Sequence, residues 1–333
     1  MARASAMFET RLTELLGIRY PIVQAPIGSA TTPELAAAVS SAGALGAISI
    51  TWRALAEVDR VIRRTASLTQ QPFAANVVLA WPQERRIALA LEAGARILWT
   101  FWGDPRPHAA TAHAAGALLI HTIGSVEEAE SAIDAGVDVL VTQGVEAGGH
   151  VRGATRWREL LARTIEKAPG IPVVVAGGIA TGADVVSALR AGADGACLGT
   201  RFVCSREADA SPVYQQRIIA ATSEDTLLTC LFDKGWSGAP HRVLRNSTVR
   251  MWEAAGRPPP GARPGEHDRV AVGAEGTPVE RYSDVIPTSR VTGELEALAL
   301  YAGESCARVH DVAPAADIVG RLAQELVAAG YAE

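Results

Sequence analysis

His150 closes the run Gln143-Gly144-Val145-Glu146-Ala147-Gly148-Gly149-His150, which follows the apolar stretch Val137 to Val141. A buried strand that opens into a Gly-Gly turn lets backbone approach a flat ligand closely, and the next residue presents an imidazole over it. Two more glycine motifs end apolar runs: Ala176-Gly177-Gly178-Ile179 and Leu198-Gly199-Thr200-Arg201-Phe202. Backbone N–H groups at such turns converge on an anion, and the Thr200 hydroxyl adds a donor. Together the three motifs describe a phosphate-anchored cofactor facing one histidine. Asn76 and Gln143 each end an apolar run, where an amide either forms a turn or hydrogen-bonds the polar edge of a flavin ring. Glu146 is expected to hold the histidine loop. A lone histidine is most often structural, and the Gly148-Gly149 pair is what marks His150 as catalytic. His121, inside a strand, is expected to pack outward or cap a helix.

The elements that position these residues repeat along the chain. Ala-Gly ends a helical stretch, and a strand begins directly, at 42–43, 93–94, 115–116, 135–136 and 191–192. Glycine just past a helix end supplies the left-handed residue that stops it. Start signals agree: Pro33 follows Thr32, and Ser125 with Glu128 forms a capping box. Strands are predicted near 21–26, 45–50, 73–79, 97–101, 117–123, 137–143, 171–176 and 193–198, mostly apolar on both faces, as helix-covered parallel strands must be. Eight strands alternating with helices predict an α/β fold, a (β/α)8 TIM barrel whose site lies at the C-terminal strand ends. A doubly wound sheet is the alternative, but Pro26-Ile27-Gly28 stands where its GxGxxG turn belongs. The pattern breaks after strand eight. The barrel is therefore assigned to 1–202 and 296–333, the latter carrying an amphipathic closing helix over 313–330. Residues 203–295 are read as an inserted helical and irregular lid, with a Pro- and Gly-rich loop at 257–265.

Composition excludes several classes. The chain has 333 residues, 48% hydrophobic and 20% charged, which is a folded globular balance. A net charge of −5 without a basic cluster excludes nucleic acid as an expected partner. No apolar stretch reaches ~18 residues, so no membrane span is expected. Residues 1–8 lack the basic start and apolar core of a signal peptide, so a cytoplasmic location is expected. The cysteines (Cys197, Cys204, Cys230, Cys306) have no CxxC spacing, and no metal site is expected. Lys167 and Lys234 are the only lysines, and neither ends a strand, against Schiff-base chemistry. Trp52, Trp99 and Trp102 follow or occupy strands two and four, where one or two would wall a pocket, although core packing is the simpler expectation for each. Asn246-Ser247-Thr248 matches a glycosylation acceptor and is read as chance.

These motifs resemble the nitronate monooxygenase family, formerly called 2-nitropropane dioxygenases, of FMN-dependent TIM barrels. The resemblance runs from Pro21-Ile22-Val23-Gln24-Ala25-Pro26 through the His150 motif and both glycine corners to Ala302-Gly303-Glu304. It implies non-covalent FMN, with the phosphate at Gly177, Gly178, Gly199 and Thr200. The ring would meet Ala25, Pro26, Asn76, Thr122, Gln143 and Gly149. It implies a nitronate substrate, O2 as co-substrate, and His150 as the residue that binds the nitronate or deprotonates a neutral nitroalkane. The products would be a carbonyl compound and nitrite; a homodimer is a permitted assembly. Tyr301, and less so Tyr282, match tyrosines that wall the pocket. The same motif resembles FMN-dependent enoyl-ACP and quinone reductases, some of which carry a lysine where this chain has Thr122. A non-flavin barrel acting on a phosphorylated metabolite is a further alternative.

Overall fold

The computed structural model describes residues 8–331. Eight parallel strands form one sheet: β1 (Ile22–Gln24), β2 (Gly46–Ser49), β3 (Phe73–Val78), β4 (Ile97–Phe101), β5 (Leu118–Ile123), β6 (Val139–Gln143), β7 (Val173–Ala176) and β8 (Gly195–Leu198). Strands adjacent in sequence are adjacent in space, and β8 returns to β1 with Cys197 opposite Val23. The seam between β1 and β2 closes as well. Val23 bridges Leu45, the Gln24 N–H donates to Leu45 O at 2.9 Å, and the Leu45 N–H donates to Ile22 O at 3.0 Å. The fold is the expected (β/α)8 barrel.

Alternation along the strands feeds two cores. Val23, Ala47, Ala74, Trp99, Ile120, Val139, Val174 and Cys197 fill the barrel interior. Ile22, Ile48, Ala75, Leu98, Leu119, Leu140, Val175 and Leu198 pack beneath the helices. Burial on both faces is why the strands read as continuous apolar runs. The Ala-Gly punctuation holds: Gly43, Gly94, Gly116, Gly136 and Gly192 all have positive φ. Thr32 caps the helix Pro33–Ser41, its hydroxyl accepting from the Leu35 N–H at 2.9 Å. Ser125 likewise accepts from the Glu128 N–H at 3.2 Å. The Glu128 carboxylate, however, takes the Gly124 N–H at 2.8 Å instead of closing the expected box. The last helix, Ala315–Ala328, packs against Gly182–Arg190 and Pro33–Ser41 and completes the outer ring.

A short helix, Arg11–Leu16, plugs the N-terminal end of the barrel, where Leu12, Leu16 and Ile18 join the interior cluster. Gly195 makes room for it, since a Cβ there would lie 2.5 Å from Leu12 Cδ2. Arg11 clamps the plug through two hydrogen bonds to the Asp194 carboxylate, at 2.8 and 2.7 Å.

Residues 203–295 contain more sheet than their sequence suggests. Helices Pro212–Ile219 and Ser247–Ala254 are joined by two three-stranded antiparallel sheets. One pairs Thr226–Thr229 with His241–Leu244, which in turn pairs with Gly149–His150 from the barrel. The other pairs Arg269–Val272 with Pro278–Glu280 and Thr292–Gly293. Strands of two to four residues are too short for an alternation to register. Asn246 is wholly buried and caps the helix Ser247–Ala254, its side chain accepting from the Val249 N–H at 3.0 Å, so its acceptor motif serves the fold. Among the described residues no helix is long and apolar enough to cross a membrane.

Leu12 has no exposed surface, so Leu12→Ala should leave a cavity at the barrel floor and cost about 2–5 kcal/mol in urea unfolding. A loss under about 1 kcal/mol would show that the floor collapses around the change.

Candidate active site

A cavity of about 600 Å³ opens over the C-terminal ends of the strands. Every residue assigned to catalysis or cofactor binding from the sequence lines it: Ala25 and Pro26 after β1, Asn76, Thr122 and Gln143 on their strands, Gly149 and His150 on the loop, and Gly177, Gly178, Gly199 and Thr200 at the corner. Residues from 203–295 and the segment after it supply the facing wall, including Tyr214, Trp236, Asp284, Ile286 and Tyr301.

The histidine loop is fixed from several sides. Gly144 N–H donates to Ala176 O at 2.9 Å, tying the loop to β7. Gly148 admits the backbone of Ala302-Gly303, for a Cβ there would fall 2.3 Å from Gly303 N. Gly149 turns with φ +73°, and Gly149–His150 then pairs antiparallel with Arg242 and His241. Arg242 donates Nε and Nη2 to Val145 O at 3.2 and 2.8 Å. Glu146 is buried as expected of a loop anchor. Its carboxylate accepts from the Trp157 N–H at 3.2 Å and pairs with Arg156 at 3.2 Å.

Gln143 proves to be an orienting group for this loop. Its Nε2 donates to His150 O at 3.0 Å, and its Oε1 accepts from the Arg152 N–H at 3.0 Å. Thr122 Oγ1 accepts from Trp99 Nε1 at 2.8 Å, which places Trp99 beneath the cavity. Asn76 donates Nδ2 to Trp99 O at 3.1 Å. His121 faces away from the cavity, is buried, and shares a 2.8 Å hydrogen bond with Thr100 Oγ1.

His150 is packed among aromatic rings: Trp236 at 4.3 Å between centroids, His241 and Tyr301 each at 5.5 Å, and Trp102 at 6.3 Å. Its Nε2 is buried and has no hydrogen-bond partner among the described residues. Burial first, and then the neighbouring His241, push its pKa down to about 3. His241 is also held neutral. Its Nδ1–H donates to Ala239 O at 2.9 Å and its Nε2 accepts from the Phe232 N–H at 3.2 Å, so both nitrogens are committed. An unpartnered buried polar atom is costly, and the residue that carries this one lines the cavity.

The corner formed by β7 and β8 has spare donors. The N–H groups of Gly178, Gly199 and Thr200 find no acceptor among the described residues. Thr200 Oγ1 accepts from the Gly303 N–H at 3.0 Å, linking the corner to the segment that supports the histidine loop.

Of the aromatics considered from sequence, Trp52, Trp99 and Tyr301 line the cavity. Trp102 stands behind Trp236 at 4.6 Å. Tyr282 is buried elsewhere, its hydroxyl donating to Pro264 O at 2.8 Å. Trp236, His241 and Asp284 carried no sequence signal, because only the return of the inserted segment brings them to the strand ends.

The nitronate monooxygenase family model matches residues 9–85 and 78–325. Nitronate monooxygenase of Pseudomonas aeruginosa is 31% identical across 95% of this chain and 99% of its own. A hydroxy-methyl-oxo-octahydroindene-carboxyl-CoA dehydrogenase of Rhodococcus jostii is 32% identical across 74% of this chain and 69% of its own. FabK of Thermotoga maritima superposes with a TM-score of 0.82 at 28% identity, covering 97% of each chain. Nitroalkane oxidase of Streptomyces ansochromogenes gives 0.77 at 28% identity, covering 96% of this chain and 99% of its own. The chain thus belongs to the nitronate monooxygenase family and is an oxidoreductase.

Because the space beside Gly148 is filled by backbone, Gly148→Ala should push Ala302-Gly303 away. The expected cost is about 1–3 kcal/mol in chemical unfolding. Unchanged stability would show that the contact between the two segments is dispensable.

Proposed function

We propose that the protein binds FMN and oxidises alkyl nitronates with O2 to a carbonyl compound and nitrite. The observation that carries this reading is a corner with the spare N–H donors of Gly178, Gly199 and Thr200 in the same cavity that His150 lines. Such a corner suits a phosphate. Gly177 lets the histidine loop pass close to the corner, since a Cβ there would lie 3.0 Å from Ala147 N. Ala25, Pro26 and Gly149 offer flat surface for the ring. Asn76 Oδ1 and the remaining capacity of Thr122 and Gln143 offer polar contacts. When bound, FMN supplies an electron acceptor for the nitronate and an electron donor for O2.

The chain's own part is to bind and orient. Neutral His150 donates a hydrogen bond to the nitronate oxygens, and Gln143 anchors its backbone through the His150 carbonyl and the Arg152 N–H. An anion against the ring would favour the imidazolium and draw its pKa back up. With the pKa held near 3, His150 is a weak base toward a neutral nitroalkane, so preformed nitronates are the favoured substrates. Trp236 and Tyr301 exclude water, with 203–295 acting as the lid that carries Trp236. A pyridine-nucleotide-dependent reductase is the second reading, favoured by the 0.82 superposition on FabK.

A Cβ at Gly199 would meet only Ala25 Cβ at 3.5 Å and Ile27 Cγ2 at 3.8 Å, which is ordinary contact. Gly199→Val should therefore fold yet purify largely without flavin. Flavin-saturated Gly199→Val would place the phosphate elsewhere.

Oxygen uptake should start on adding propyl nitronate without NADH. His150→Asn should keep flavin and lose about one to two orders of magnitude in rate, the worth of one hydrogen bond to an anion. An unchanged rate would remove His150 from the site, and rapid anaerobic reduction by NADH with no response to nitronate would establish the reductase reading.

A further inference from the structure

Asp284 lines the cavity without an ion-pair partner among the described residues, and nothing above uses it. Its backbone is pinned. The Asp284 N–H donates to Lys234 O at 3.2 Å, and the Tyr301 hydroxyl donates to Asp284 O at 3.4 Å. Its carboxylate stands against the residue preceding Trp236, since a Cβ on Gly235 would lie 2.3 Å from Asp284 Oδ1. Trp236 and Tyr301 are the rings that also enclose His150, at 4.3 and 5.5 Å. His150 and Asp284 thus line one cavity together with Trp236 and Tyr301.

No cation among the described residues neutralises Asp284. The Lys234 ammonium is drawn away to Glu280 Oε2 and Glu266 O, each at 2.5 Å. Arg290 lines the cavity but is solvent-exposed. The Tyr301 phenol is pushed well above its usual range by burial. An unpaired carboxylate in a cavity lined by aromatic residues is the chemistry that recognises an ammonium, chiefly through a charge-assisted hydrogen bond.

We propose that Asp284 is a specificity-determining residue that takes the ammonium of a short amino-substituted nitronate whose anionic end sits at His150. The choice of nitronate for the reacting end rests on the function proposed above; the ammonium end rests on Asp284 alone. Burial raises the Asp284 carboxyl to about 6. It is therefore ionised and selective above that pH and loses its selectivity as pH falls through it. His150 at about 3 and His241 at about 4 are already neutral across this window.

Isothermal calorimetry on the protein as purified tests this with two probes of fixed charge and similar shape, propylammonium and propanesulfonate. It reads binding directly, so failure of nitronate turnover or of flavin binding would show separately. At about pH 8 propylammonium should bind one-to-one and about tenfold or more tightly than propanesulfonate. That preference should fall to about threefold or less at about pH 5 in the wild type, and at both pH values in Asp284→Asn. The wild-type pH comparison needs no variant, and the substitution is isosteric at a side chain without an ion pair. An equal preference in Asp284→Asn and wild type, no change between the two pH values, or no saturable propylammonium binding would overturn the proposal.

Discussion

The site depends on one short piece of backbone pairing. Gly149–His150 leaves the barrel only to join the strand His241–Leu244 of the inserted segment. That pairing sets His150 beside His241 and beneath Trp236. Neither part of the chain makes the site alone: the barrel supplies the strand ends, the glycine corner, Trp102 and Tyr301, and residues 203–295 supply Trp236 and His241. Gly148 permits the arrangement because the support at Ala302-Gly303 passes where a side chain would be.

Electrostatics follow from that enclosure. Desolvation dominates the fall of His150 from 6.5 to about 3, with His241 second. Each unit corresponds to about 1.4 kcal/mol, so charging this imidazole in the free protein costs several kcal/mol. His241 adds no proton traffic, because a backbone donor and a backbone acceptor occupy its nitrogens. The free protein therefore presents a neutral ring with a spare nitrogen. A ring of that kind binds an anion better than it strips a proton from carbon, and the proposed function accordingly gives this chain the work of binding and orientation more than acid–base chemistry.

The barrel was legible because its signals are local. Ala-Gly pairs stop helices through left-handed glycine, Thr32 and Ser125 start them, and strands buried on both faces stay apolar. The glycine motifs and His150 were legible because tight turns at strand ends demand those residue types. Gln143 was placed correctly at the cavity, but its grip on the backbone at His150 and Arg152 depends on a loop conformation that spacing does not encode. Trp236, His241 and Asp284 reach the site only through the two small sheets of 203–295, whose strands are too short to show a period. The burial of Asn246 and the separate packing of Tyr282 were illegible for the same reason: each depends on contacts made far along the chain.

The neutrality of His150 is the central claim, and long-range proton–nitrogen NMR of the imidazole nitrogens across a pH titration tests it most directly. With His150→Asn used to assign its signals, the wild-type ring should keep the nitrogen shifts of a neutral imidazole from about pH 8 down to about pH 4. A ring that titrates near its ordinary value of 6.5 would contradict the enclosure and the anion-binding role built on it.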